Sequence, residues 1–285
     1  MANPKPSAAV PLHQPVHDIL KPLFARPFAA VMGVLNVTPD SFSDGGAFLT
    51  PADAITQAKA MIAAGADIID VGAESTRPYG DAKPVSAEEE KHRLEPVLTK
   101  IAALGAPISI DTMKAEVAGW AISQGAAIVN DVWGLQRDAD MAGIVAQANV
   151  PVVIMHNRDV ADPAIDILKD IAVFFRRSLE IAAKAGIPGG NIVLDPGIGF
   201  GKTPEQSMTV LAKLDDLQSF GYPLLVGASR KRFIASVVPS EPQHRLGGSI
   251  AAHLIAASQG AKIIRAHDVA ETVQALRVAA AIGGK

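Results

Sequence analysis

Asp111, Asn130 and Asp195 each end a separate apolar run of the chain. Carboxylate and amide heads gathered in a narrow pocket could grip a flat nitrogen heterocycle, a carboxylate matching a guanidine-like edge through two parallel hydrogen bonds. Each could instead cap the loop that follows it. Ser229-Arg230-Lys231-Arg232 and Arg265-Ala266-His267-Asp268 add cations and donors suited to an anion such as phosphate. Their plainer readings are a solvated basic turn and a satisfied core histidine. The run from Asn36 to Gly46 is rich in oxygen ligands. Such oxygens suit a hard cation such as Mg2+, which keeps several waters and also binds through substrate phosphates. The same composition more often makes an Asx-turn loop, closed here by Gly45-Gly46. Glu74-Ser75-Thr76-Arg77-Pro78 could form a mobile lid, its glutamate pairing with a neighbouring arginine, or could be a purely structural ion pair. His156 has no serine nucleophile paired with it and reads as packed or hydrogen-bonded.

These residues recur at one kind of position. Asn36, Glu74, Asp111, Asn130, His156, Asp195, Ser229 and His267 each close an apolar run of about five to seven residues, and an amphipathic helical stretch follows each. The strands are predicted at Phe28 to Val37, Asp67 to Glu74, Pro107 to Asp111, Ala127 to Asp131, Pro151 to His156, Ile192 to Asp195, Leu224 to Gly227 and Lys262 to Ala266. Helices are predicted from Pro51 to Ala64, Ser86 to about Gly105, Lys114 to Gln124, Asp138 to Asn149, Ile167 to Ala185, Thr203 onward, Arg245 to Ser258 and Val269 to Ala281. Ser86 with Glu89 has capping-box spacing, and Thr203-Pro204 is a strong helix start. Eight strand-helix units predict an α/β fold, a TIM (β/α)8 barrel whose polar strand ends converge at one mouth. The loops after the seventh and eighth strands then become the phosphate corner. A doubly wound open sheet shares the alternation, but its dinucleotide fingerprint is missing, and Asp195-Pro196-Gly197 fits a strand-end turn better.

Bulk properties agree with one compact domain. The chain has 285 residues, close to the roughly 250 of a typical barrel. With 49% hydrophobic and 19% charged residues it can build a large core and is not a disordered chain. Its 26 basic and 29 acidic residues give a net charge of -3, which offers no general attraction to nucleic acid or to an anionic membrane. There is no cysteine, compatible with a reducing, cytoplasmic setting. The proline-broken opening lacks a signal peptide's apolar segment, and no later run reaches membrane-spanning length. Residues 1–26 are expected to be a flexible or loosely docked extension, and residues 27–285 the barrel.

NVTPDSFSDGG, ESTRP, IDT, NDVWG, MH, LDPGIGFGKT, GASRKRF and RAHDV, one per strand and in this order, resemble the segments of the dihydropteroate synthases. The likeness runs from about Ala30 to Ile282. It implies a transferase of folate biosynthesis that joins 6-hydroxymethyl-7,8-dihydropterin diphosphate to p-aminobenzoate and releases diphosphate, with Mg2+ on the leaving group. It also implies that Asp111, Asn130, Asp195 and Lys231 hold the pterin, with Met155 and Gly227 lining its pocket. Asn36, Arg265 and His267 would meet the diphosphate, and Asn36 its metal. Thr76, Arg77, Pro78, Phe200 and Ser229 would frame the aminobenzoate. Asp111, Lys231, Arg265 and His267 would carry the chemistry, an SN1-like substitution that explains why no activated nucleophile stands out. Sulfonamides would compete with the aminobenzoate, and a homodimer would form through the alanine-rich late helices. The chain departs from the family pattern at Ala73, at Tyr79 and at Asn157-Arg158-Asp159. The nearest rival is a pterin-dependent methyltransferase, which has no diphosphate to expel and no use for the Arg265 and His267 cluster.

Overall fold

The structure is a computed structural model that describes residues 15–37, 50–74 and 85–284. Strands β1 (Ala30–Asn36), β2 (Ile68–Gly72), β3 (Ile108–Asp111), β4 (Ile128–Asp131), β5 (Val152–Met155), β6 (Ile192–Asp195), β7 (Leu224–Val226) and β8 (Ala261–Ala266) pair in parallel. β8 returns to β1, so the sheet closes into the expected barrel and the open doubly wound alternative is excluded. The helices are α1 (Lys21–Phe24), α2 (Pro51–Ala63), α3 (Ala87–Leu94), α4 (Leu98–Ala102), α5 (Ala115–Ser123), α6 (Met141–Ala148), α7 (Ile167–Ala185), α8 (Pro204–Ala212), α9 (Arg232–Val237), α10 (Leu246–Ser258) and α11 (Val269–Ile282). Among the described residues no helix is long and apolar enough to cross a membrane.

Local chemistry sets the boundaries. Thr50 and Thr203 each form a full capping box, with Asp53 and Gln206, and a proline fills the first turn of α2 and of α8. Ser86 accepts from the Glu89 N–H, but Glu89 turns to Arg93, so only half of the expected box forms. The single helix predicted from Ser86 to Gly105 is two. Glu95 keeps helical backbone as the C-cap of α3, but Pro96 has no N–H to continue the hydrogen-bond ladder, Val97 leaves the helical region, and α4 begins at Leu98.

Side-chain alternation along each strand decides what enters the barrel. One inward layer contains Ala30, Met32, Ile68, Ile128, Val153, Val193, Leu225 and Ile263, a single apolar cluster. Two residues further along the same faces come Asp70, Asn130, Met155, Asp195, Gly227 and Arg265. The barrel interior therefore changes from apolar to polar within one pleat repeat. The opposite faces, with Val31, Ile69, Val71, Ile110, Val129, Ile154, Leu194 and Ile264, pack against the helices in the larger core.

The stretch expected to be a loose extension is docked where the structure describes it. Leu20 and Leu23, carried by the α1 segment, are buried against the apolar layer inside the barrel. His17 N–H donates to Gly190 O at 3.1 Å, and Arg26 pairs with Asp67 at 2.8 Å. Burying a leucine contributes about 1.5–3 kcal/mol toward holding the segment in place.

Candidate active site

Arg265 lies at the centre of the polar layer. Its Nε donates to Asp70 Oδ2 at 2.6 Å and its Nη2 to Asp111 Oδ2 at 2.7 Å. Asn130 Nδ2 donates to the same Asp70 oxygen at 3.1 Å. Strand pairing brings these groups together: Gly72 is in register with Asp111, and Asp111 with Asn130. At Gly72 an added Cβ would lie 3.3 Å from the Asp111 Cβ, so a larger residue would crowd the carboxylate. Oδ1 of Asp70, of Asp111 and of Asn130 is buried and meets no hydrogen-bond donor among the described residues.

Electrostatics divide the layer into groups that can change charge and one that cannot. Burial pushes Asp111 up to about 7; Arg265 and Lys231 pull against this, and Asp70 and Glu90 add to it. Burial likewise raises Asp195 to about 6, against the Gly197 N–H and the Lys231, Arg265 and Lys202 charges. Burial works against the Arg265 cation too, but Asp70, Asp111 and Asp195 outweigh it and raise its pKa above the usual arginine value.

A flat apolar wall adjoins these groups. Val132, Met155 and Phe200 form a buried cluster, with Met113 and Trp133 packed on it. Met155 is in register with Asp195, whose Oδ1 accepts from Gly197 N–H at 2.7 Å. Lys231 Nζ stands 4.0 Å from the centre of the Phe200 ring, a cation–π contact. Gly227 lies beside Arg265, where an added Cβ would be 3.7 Å from the arginine Cβ.

The predicted anion corner is assembled from β7 and β8. Ser229 Oγ accepts from His267 N–H at 3.2 Å and lies 3.0 Å from His267 Nδ1, so the serine orients the imidazole beside the start of α11. Of the three cations after β7, Arg230 pairs with Asp268 at 2.6 Å, with its own backbone left-handed at φ 57°. Arg232 begins α9, a helix the sequence reading did not anticipate. Asn36 ends β1, in register with Gly72. Among the described residues no group of three or more His, Cys, Asp or Glu side chains is arranged to hold a metal ion.

Thr76, Arg77 and Pro78 lie outside the described residues. Among the described residues Glu74 pairs with Lys114, which also donates to buried Glu90 at 2.8 Å. Its other oxygen accepts from Val85 N–H at 3.1 Å. His156 is fully buried and hydrogen-bonded, with Nε2 at 3.0 Å from Asp170. The reading of strand ends missed Asp70. Its signal is an aspartate inside an otherwise apolar strand, on the same face as Gly72 at the mouth.

Residues 32–267 match the family model described as pterin binding enzyme. The dihydropteroate synthase of Bacillus subtilis is 46% identical over 257 residues, 90% of this chain and 89% of that protein. A solved dihydropteroate synthase from Clostridium difficile, determined in the presence of pteroic acid, is 47% identical with a TM-score of 0.85, covering 90% of this chain and 98% of that one. The Xanthomonas albilineans dihydropteroate synthase, solved with 4-aminobenzoic acid, is 42% identical with a TM-score of 0.85, covering 90% and 94% of the two chains. It has also been solved with 7,8-dihydropteroate.

Proposed function

The chain belongs to the pterin binding enzymes, within the dihydropteroate synthases of folate biosynthesis, and from that premise we propose its substrates, mechanism and residue roles. The reaction condenses 6-hydroxymethyl-7,8-dihydropterin diphosphate with p-aminobenzoate to give 7,8-dihydropteroate and diphosphate. The observation that carries this reading is the Arg265 bridge between Asp70 and Asp111, next to Asp195 and a flat apolar wall. It puts acceptors for a nitrogen heterocycle and a permanent cation for a leaving anion in one layer. Solved relatives binding 4-aminobenzoic acid and 7,8-dihydropteroate support the same choice.

Asp111, Asn130 and Asp195 receive the ring's N–H groups, Lys231 donates to its acceptors, and Met155 and Gly227 border its faces. In the dissociative, SN1-like course, the bond from the methylene carbon to the bridging oxygen breaks and its electron pair leaves with diphosphate. The aromatic amine nitrogen then bonds the methylene carbon and gives up a proton. Arg265, His267 and the N-terminus of α11 stabilise the departing anion, while Asp111 stabilises the cation left on the pterin. Phe200 and Ser229, with Thr76, Arg77 and Pro78, frame the aminobenzoate. Asn36 would hold Mg2+ through its amide oxygen, and the ion would supply further neutralisation of the diphosphate. The working unit is a cytoplasmic homodimer, and sulfonamides compete with p-aminobenzoate.

Purified protein with both substrates and Mg2+ should form dihydropteroate, and chelation by EDTA should stop it. Folded protein that forms none would defeat the assignment of substrates. Activity that survives exhaustive chelation would remove the metal.

A further inference from the structure

Three glycines in the β6–α8 turn, Gly197, Gly199 and Gly201, have positive φ of 67°, 80° and 54°. A chain of this composition is conformationally permissive and does not hold a shape by itself. Yet Phe200 sits in the middle of it, with its ring 4.0 Å from Lys231 Nζ and packed with Met155 and Val132. Something outside the turn must fix it.

Lys202 does this through the backbone of the turn. It is almost completely buried, and its Nζ lies 2.8 Å from Gly197 O, 3.0 Å from Phe200 O and 2.7 Å from His156 Nδ1. Three acceptors match the three N–H donors of an ammonium, whose pKa burial lowers to about 7 against the Asp195 and Asp170 charges. His156 is suited to accept, because burial and the Lys202 charge push its pKa down to about 3 and leave the ring neutral. With Nδ1 accepting, Nε2 carries the hydrogen and donates to Asp170, which Arg158 also holds at 2.8 Å. The turn is pressed onto this group. A Cβ at Gly197 would lie 2.0 Å from His156 O, and one at Gly201 would lie 2.4 Å from the Arg158 Cβ. The signal was a lysine in a glycine-rich loop, which as sequence reads as solvated.

We propose that Lys202 is a positioning residue for p-aminobenzoate: clasped between His156 and two carbonyls of the turn, it sets the place of the Phe200 ring. The inference rests on the aminobenzoate role given above to Phe200. Lys202 is buried and bonded to the backbone of the turn, so its influence passes through the turn.

Steady-state kinetics in both substrates, with Lys202→Met, Phe200→Ala and the double variant, test it. Lys202→Met should raise KM for p-aminobenzoate about tenfold and leave KM for the dihydropterin diphosphate within about twofold. If it acts through Phe200, the double variant should be no worse than Phe200→Ala alone, since coupled residues are not additive. An unchanged aminobenzoate KM, an equal rise in both KM values, or additive effects would each overturn the proposal. Should Lys202→Met be recovered only as aggregate, His156→Leu removes one of the three acceptors of Lys202 and is judged by the same criteria. Wild-type protein that makes no dihydropteroate sinks the substrate assignment. Phe200→Ala without effect on aminobenzoate sinks its subsite role and this inference with it, whereas failure of Lys202→Met alone leaves both of those readings standing.

Discussion

Replacing Asp70 by asparagine tests whether Arg265 is shared between two carboxylates. Asp70 has no exposed surface, and its Oδ2 accepts from Arg265 Nε at 2.6 Å and from Asn130 Nδ2 at 3.1 Å. Asparagine keeps the shape and one acceptor oxygen, so an ionic hydrogen bond of about 1.5–3 kcal/mol becomes a neutral one of about 0.5–1.5 kcal/mol. Removing a buried charge that repels Asp111 offsets part of the loss, which leaves a net cost of about 1 kcal/mol. Asp70→Ala instead strands two buried donors at about 1–3 kcal/mol each, or about 2–6 kcal/mol together. Urea denaturation should therefore place the larger gap between the asparagine and alanine variants. The pH profile gives a second measure. Burial is the main reason Asp111 is held near 7, and the Asp70 charge adds to it. In Asp70→Asn the Asp111 carboxyl ionises at lower pH, so the acidic limb of kcat/KM for the pterin substrate should move downward. An acidic limb that does not move, or an alanine variant as stable as the asparagine one, would refute the shared arrangement.

Lys231→Ala should lower kcat/KM for the dihydropterin diphosphate by the equivalent of about 2–5 kcal/mol, the usual cost of truncating one member of a buried charged set. A loss confined to p-aminobenzoate would assign Lys231 to the other substrate. Ser229→Ala removes the oxygen that orients His267, so KM should rise about fivefold for the diphosphate substrate as well as for p-aminobenzoate, the worth of one hydrogen bond of about 1 kcal/mol. Initial rates in both substrates decide whether Ser229 serves one subsite or joins two. Leu20→Ala should destabilise the fold by about 2–5 kcal/mol and leave kcat unchanged at a temperature where the protein stays folded. A denaturation midpoint like that of the wild type would mean that the segment before β1 is not part of the core.

Most of the barrel and its mouth could be read from sequence because polarity changes abruptly where each strand ends. Asp111, Asn130, Asp195, Ser229 and His267 all stand at such boundaries. What escaped depended on partners distant in sequence or on position inside an element. Asp70 lies within β2, and its importance appears only once Arg265, on β8, is paired next to it through the closed sheet. Lys202 reads as a surface lysine until His156 is found 2.7 Å away. Glu74 could be read as a member of an ion pair, but its partner Lys114 belongs to the next strand-helix connection and is not evident from the sequence around it. Leu20 and Leu23 lie in a stretch rich in prolines, and only the inward layer of the barrel shows what they cover. The predicted helix from Ser86 to about Gly105 runs across Pro96, where the structure divides it into α3 and α4.

The charges of the polar layer suit a reaction in which one part of a substrate leaves as an anion. Asp70, Asp111 and Asp195 outnumber Lys231 and Arg265, and a low-dielectric site does not tolerate a surplus of carboxylates. Protons can make up the difference, because Asp111 and Asp195 are held near 7 and near 6. A heterocycle presenting N–H groups does the same work as those protons, so the carboxylates can exchange one for the other near neutral pH. Arg265 has no such freedom: the carboxylates that hold it raise its pKa, and it stays cationic whether or not a pterin is bound. In the proposed reaction the acidic groups would thus adapt to the ring while the charge of Arg265 stays constant. Neutralising Asp70 should therefore change when Asp111 ionises without ever discharging Arg265.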